Sequence, residues 1–237
     1  MANKRLNGVW RSGSGEETWY TGLSLADFEV KGKDLFERDM RMVSLDTNGG
    51  ISAVWHPGND GQVCYIGLSR DDFVRHDTEC LNEGMRLVSL RVAGGRHDAV
   101  WRTGTGRQEI RWTPSIDDLF VTDKQHFNEG MRLQTLQQDF DKGLYYGVWR
   151  SDLGTGAQWV RRGIPSNAEF KNEDSRQSAA GLRLCEITSL KGLTGIWRSG
   201  TDAAAWALEE TFADFSTLEG QHVDAGLRMV NLSVGFV

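Results

Sequence analysis

The chain has 237 residues, with 27 Lys and Arg against 33 Asp and Glu and a formal charge of −6. That balance offers no basic footprint, which argues against nucleic acid or an anionic membrane surface as a partner. No apolar run approaches a membrane span, so no membrane insertion is expected. The opening MANKRLNGVW lacks the apolar stretch of a signal peptide, so a cytoplasmic protein is expected, with secretion by another route left open. Cys64, Cys80 and Cys185 are an odd number without CxxC spacing, which reads as free thiols rather than a disulfide scaffold or a zinc site.

A repeat dominates the chain. GVW, AVW, AVW, GVW and GIW end at Trp10, Trp55, Trp101, Trp149 and Trp197. The copies divide a single domain, 1–237, into repeats 8–52, 53–98, 99–146, 147–194 and 195–237. In each copy the Trp run is followed by a Gly, Ser and Asp-rich turn, then by a second apolar run with Trp19, Tyr65, Trp112, Trp159 or Trp206. Two such runs around a Gly-rich turn read as a β-hairpin.

A helix start comes next. Ser24, Ser69, Ser115, Ser166 and Thr211 each precede an acid by three residues, the S/T-x-x-D/E form of a capping box, in which the acid reaches back to the cap amide. Phe28, Phe73, Leu119, Phe170 and Phe215 give each helix an apolar anchor. The helices run about four turns to Gly84, Gly130, Gly181 and Gly226, where a left-handed residue closes a helix. Asp39 replaces glycine in the first copy and predicts a strained or different closure there. The strands MRMVSL, MRLVSL, MRLQTL, LRLCEI and LRMVNL complete a β-β-α-β unit.

The chain starts on a Trp strand and ends on the strand that elsewhere precedes one. Pairing Gly8–Arg11 with Leu227–Leu232 would remove both exposed edges. The expected fold is therefore an α+β repeat protein, a closed five-fold pseudosymmetric ring of ββαβ units.

No catalytic template is recognisable. His56, His76, His97, His126 and His222 fall at different phases of the repeat, and no HExxH, GxSxG, SxxK or Walker sequence occurs. No catalytic residue, metal or cofactor is expected. The five repeat tryptophans read as core. The second aromatics, Trp19, Tyr65, Trp112, Trp159 and Trp206, are candidates for rings facing a ligand, as are the basic residues after each repeat Trp, namely Arg11, His56, Arg102, Arg150 and Arg198. Arg41, Arg86, Arg132, Arg183 and Arg228 sit in the apolar strand, where a guanidinium needs partners. They are read either as clamps onto carboxylates or carbonyls or as a ring of anion-binding donors.

Five β-β-α-β units resemble the α/β-propellers of the pentein fold, whose enzymes act on guanidino compounds with a nucleophilic Cys. At residue level, the order of VW, a second aromatic, a helical Phe and G-[ML]-R-[LM]-V is similar to a bacterial tandem repeat domain. That domain is found beside β-lactamase-like serine hydrolases and in polyglycine hydrolases, where the repeats accompany the catalytic domain. The resemblance implies an accessory or recognition role. The function expected is a non-enzymatic, multivalent, lectin-like binder of a glycan or peptide. A protein-interaction or substrate-targeting module is the alternative, and a pentein-type enzyme the third reading. The oligomeric state is left open.

Overall fold

The structure is a computed structural model describing residues 4–189 and 192–236. Its first copy supplies β1 (Lys4–Ser12), β2 (Thr18–Leu23), α1 (Leu25–Glu37) and β3 (Met40–Asp46). The second supplies β4 (Ile51–Pro57), β5 (Gln62–Leu68), α2 (Arg70–Asn82) and β6 (Met85–Ala93). The third supplies β7 (Arg96–Thr103), β8 (Gln108–Thr113), α3 (Ile116–Asn128) and β9 (Arg132–Asp139). The fourth supplies β10 (Leu144–Arg150), β11 (Gln158–Ile164), α4 (Asn167–Ala179) and β12 (Leu182–Ser189). The last supplies β13 (Leu193–Ser199), β14 (Ala204–Glu210), α5 (Phe212–Asp224) and β15 (Leu227–Phe236).

The strands form five three-stranded antiparallel sheets, β14-β1-β15, β2-β4-β3, β5-β7-β6, β8-β10-β9 and β11-β13-β12. Each Trp strand is the centre of its sheet, which suits a strand apolar on both faces. In the three copies with glycine before the Val-Trp or Ile-Trp pair, the Trp ring two places on lies over that glycine, whereas Ala53 and Ala99 hold the place in the other two. A Cβ at Gly8, Gly147 or Gly195 would stand 2.5, 2.3 or 2.2 Å from Cη2 of Trp10, Trp149 or Trp197.

The pairing corrects one expectation. A Trp strand does not form a hairpin with the second strand of its own copy, since β1 lies in one sheet and β2 in another. The hairpin is instead the link from the third strand to the next Trp strand. At Ala93–Arg96 that link is two residues, Gly94 and Gly95, both at positive φ (59° and 73°). Two consecutive left-handed residues match the twist of paired strands, whereas the longer segment after each Trp strand carries the chain to a different sheet. β1 does pair with β15 as expected, from Gly8 opposite Leu232 to Arg11 opposite Arg228.

Ser24, Ser69, Ser115, Ser166 and Thr211 are the N-caps, each accepting from the amide three residues on. In three boxes the acid takes the cap hydroxyl, with Ser24, Ser69 and Thr211 Oγ donating to Asp27, Asp72 and Asp214 at 2.7, 2.7 and 2.6 Å. Ser69→Ala should cost about 1 kcal/mol, read as a fall in the urea midpoint, because the Asp72 amide loses its acceptor. The helices close on Gly84, Gly130, Gly181 and Gly226 at φ 75–82°. Asp39 takes the same conformation, φ 56°, and is the one positive-φ residue other than glycine among the described residues. The first copy thus keeps the closure and carries its strain.

The third strand of every sheet holds a feature absent from the sequence reading. Its register slips by one residue opposite the Val-Trp pair, leaving Val43, Val88, Gln134, Cys185 and Val230 as bulge residues. Bulges re-aim side chains and terminate regular pairing.

The chain folds as two compact units. The first takes residues up to Asn59 and from Ala157, with the sheets centred on β1, β4 and β13. Its core includes Trp10, Val54, Phe215, Met229 and Leu232, and a second cluster of Val9, Phe170, Leu184 and Trp197. Third strands meet there through side chains: the Leu232 amide donates to Ser44 Oγ at 3.0 Å and the Ile187 amide to Asn231 Oδ1 at 3.0 Å. The second unit, Asp60–Gly156, holds the sheets centred on β7 and β10 around Phe73, Leu87, Trp101, Tyr146 and Val148. Gln134 Nε2 donates to the Val88 carbonyl at 3.0 Å in that unit. Among the described residues no helix is long and apolar enough to cross a membrane.

Candidate functional site

The basic residue after each Trp sits at the end of a central strand and finds side-chain partners there. In the first unit Arg11 Nε donates to Asp202 Oδ2 at 2.7 Å, and its Nη1 reaches Cys185 Sγ at 3.2 Å. The Arg11 guanidinium holds the Asp202 carboxyl below its ordinary value. Arg198 Nε donates to the same Cys185 Sγ at 3.3 Å. His56 Nε2 lies 3.1 Å from Glu17 Oε2. In the second unit Arg102 Nε donates to Asp60 at 2.9 Å and Arg150 Nε to Asp152 at 2.9 Å, with Arg150 Nη1 also on the Leu87 carbonyl at 3.1 Å.

The five strand arginines donate to main-chain carbonyls. Arg41, Arg132, Arg183 and Arg228 each donate to the residue five places back, Phe36, Phe127, Ser178 and Val223, at 3.0–3.2 Å. Those carbonyls belong to the last turn of a helix, the negative end of its dipole. A second hand holds a crossing loop: Arg86, Arg132, Arg183 and Arg228 Nε donate to the carbonyls of Gly106, Gly156, Asp202 and Gly15 at 2.6–2.8 Å.

The second aromatics do not occupy one repeated position. Trp19 and Trp206 stand opposite the Val of the central strand, Val54 and Val9. Tyr65 stands opposite Ala99, Trp112 opposite Tyr146, and Trp159 opposite Trp197. The position equivalent to Trp19 holds Cys64, Ile110 and Val160 in the middle copies. Trp19 and Trp206 are half-buried, and Trp206 Nε1 donates to Asp174 at 2.9 Å. Tyr65, Trp112 and Trp159 are 37%, 37% and 45% exposed. Each exposed ring has a polar companion: His76 stacks on Tyr65 at 4.2 Å, Arg70 lies 5.9 Å above Trp112, and Trp159 Nε1 donates to buried Glu173 at 2.9 Å.

Sequence reasoning missed a pair of carboxyls in the first unit. Glu17, its side chain 1% exposed, accepts from the Met229 amide at 2.5 Å and meets Glu219 of α5. Burial, then the Glu17 charge, pushes Glu219 above its ordinary 4.5, against the hydrogen bond from Trp19 and the charge of Arg228. The second unit places an amide at the equivalent point, where Gln108 bridges the Leu87 amide and Asp77, each at 2.7 Å. Reading Glu17 against Gln108 in an alignment of the copies was the available signal.

The carboxyl pair has a pH consequence with a definite sign. The folded chain holds the Glu219 proton more tightly than the unfolded chain, so Glu219 favours folding at low pH, and this contribution is lost as pH rises from 4.5 through the raised value. Glu219→Gln keeps a donor toward Glu17 and an acceptor for Trp19. Its thermal midpoint should fall less than that of the parent chain between pH 4 and pH 8, and an unchanged profile would refute the upward shift of Glu219.

Other buried polar groups read as structural. His97 lies fully buried, stacked on Phe73 at 4.9 Å, and burial lowers its pKa. Among the described residues no group of three or more His, Cys, Asp or Glu is placed to hold a metal ion. No protein-family model, curated protein or solved structure matches the chain.

Proposed function

We propose that this protein is a non-enzymatic, multivalent binder of the lectin-like kind, recognising carbohydrate through exposed ring faces. What supports the reading is that Tyr65, Trp112 and Trp159 stay over a third exposed while each is fixed beside a polar side chain. A ring backed on one face or held at its edge by a polar side chain, and still exposed, suits the C–H face and hydroxyl rim of a sugar. Because the three rings sit at different strand positions, the sites are of similar chemistry without being copies of one pocket. Several weak sites on one chain gain avidity without new contacts. The same reading takes the five like sheets as one closed ring of ββαβ units, an arrangement favoured by the pairing of β1 with β15.

The test is a glycan array with free-sugar competition, run on the parent chain and on Trp112→Ala. Binding that free sugar removes, weakened in the variant at an unchanged melting temperature, is the expected result. Absence of sugar-competed binding would sink the proposal, and a captured protein partner indifferent to sugar would move the reading to a protein-interaction module.

A further inference from the structure

Resting on the carbohydrate reading above, we infer that Trp159 and the guanidinium groups beside it form a subsite for an acidic saccharide, a sugar ring bearing a carboxylate or a sulfate. β11 carries Trp159 and Arg161 two residues apart, and so on one face of the strand. Glu173 of α4 meets both. Its side chain is 1% exposed, and Trp159 Nε1 donates to its Oε1 at 2.9 Å while Arg161 Nη1 donates to its Oε2. Arg176, three residues further along α4, adds Nη1 to Oε2 at 3.4 Å, and Gln177 Nε2 donates to Oε1 at 2.7 Å. The two oxygens of one buried carboxylate thus tie an exposed indole to two guanidinium groups.

The charges in this group do not cancel. Burial raises the Glu173 pKa, but the hydrogen bonds from Gln177 and Arg161 and the charges of both arginines outweigh it and hold the carboxyl below its ordinary value. One ionised carboxylate against two guanidinium groups leaves one positive charge. Asp174, the next residue of α4, is turned to other rings, its oxygens accepting from Trp197 and Trp206 Nε1 at 2.9 Å each. Arg161 is 40% and Arg176 68% exposed, and each gives Glu173 a donor from Nη1, one of the five that a guanidinium carries.

The arrangement matches an acidic sugar in two ways. The exposed face of Trp159 takes the C–H face of the ring, and the guanidinium groups at its Nε1 edge take the oxyanion, for which their planar forks are suited. The chain as a whole carries a formal charge of −6, which repels anions, so a preference for an acidic sugar has to come from a local excess such as this one. Tyr65 lacks that excess, since its companion His76 is paired with Glu79 at 2.9 Å and Arg75 nearby with Asp72 at 2.9 Å. The buried acid that organises the group belongs to the fourth copy alone, the equivalent helix position being Lys31, His76, Thr122 and Leu218 elsewhere.

The experiment titrates the full chain by calorimetry with tetragalacturonate, with its neutral methyl ester and with a sulfated galactose tetramer. At low salt one of the two acidic probes should bind about tenfold tighter than the ester, the advantage of a charge-assisted bond, and the tighter of them identifies the acid. High salt should shrink that advantage and leave the ester unaffected. Arg176→Gln should cut it about threefold with the fold intact, because so exposed a side chain contributes little to stability. Trp159→Ala should abolish it, and Trp112→Ala should keep it. Equal affinity for acid and ester overturns the inference and leaves the carbohydrate reading standing, whereas binding of none of the three probes overturns both. An advantage that ignores salt, that survives Arg176→Gln and Trp159→Ala unchanged, or that is lost in Trp112→Ala instead puts the acid elsewhere and also overturns the inference.

Discussion

Trp101→Ala will lower the stability of the second unit by about 4 kcal/mol, the usual cost of deleting a large buried ring. The side chain is fully buried, packs on Phe73 with centroids 5.9 Å apart, and sits edge-on to Tyr65 at 6.3 Å. Its Nε1 donates to Asp77 at 2.8 Å, a carboxylate whose pKa burial already raises, so truncation adds the loss of a charge-assisted bond to the cavity. Trp55 supplies the contrast. It is equally buried, but α1 has Gly32 where α2 has Asp77, and Trp55 Nε1 has no hydrogen-bond acceptor among the described residues. Trp55→Ala should therefore be the milder substitution by about 1 kcal/mol, the net value of a hydrogen bond. Urea melts of both variants decide this. A loss below about 1 kcal/mol at Trp101 would mean that the ring is not the centre of its sheet's packing.

The features legible in the sequence are those carried by short-range chemistry. A cap hydroxyl acts on an amide three residues away, and a left-handed glycine acts on the turn it ends, so Ser69 and Gly84 announced α2 from inside one copy. Strand partners are set by other means. The segment Ser12–Glu17 has the composition of a hairpin turn, yet both edges of β1 are taken by β14 and β15, and β2 goes to β4. The two-residue Gly94-Gly95 turn was in the sequence with the correct length for a hairpin, and was outweighed by the louder Gly-rich segments.

The candidate site was less legible for a related reason. Trp19, Tyr65, Trp112, Trp159 and Trp206 align as aromatics in one dimension, but a shift of one residue along a strand changes the face on which a ring lies. The structure separates Trp19 and Trp206 from the three exposed rings. The basic residue after each Trp was found, whereas its partners Asp202, Glu17 and Asp60 come from crossing loops whose destination depends on sheet order.

Arg132→Met should be the most damaging of the strand-arginine substitutions, costing about 3 kcal/mol or more, and Arg86→Met about 1 kcal/mol. Arg132 is 3% exposed, and its guanidinium donates to the carbonyls of Phe127 (3.2 Å), Met131 (2.7 Å), Gly156 (2.6 Å) and Thr155. It also lies 3.8 Å from the Phe127 ring centroid. Two effects oppose each other on substitution. Methionine removes a charge whose burial is unfavourable, as the lowering of the Arg132 pKa by desolvation shows, and refills part of the volume with apolar atoms. Against that gain, four carbonyls lose a charged donor, and hydrogen bonds to charged groups contribute about 1.5–3 kcal/mol each, so the loss exceeds the relief. Arg86 is half-buried and donates to Gly106 and Met85, where water can replace a missing donor. Arg132→Lys should fall between them, because a single ammonium cannot span a helix end and a crossing loop. Chemical denaturation of the three variants measures the order directly. If Arg132→Met melts like the parent chain, the carbonyls do not depend on the guanidinium, and the repeated arginines move from clamping the backbone to facing a ligand.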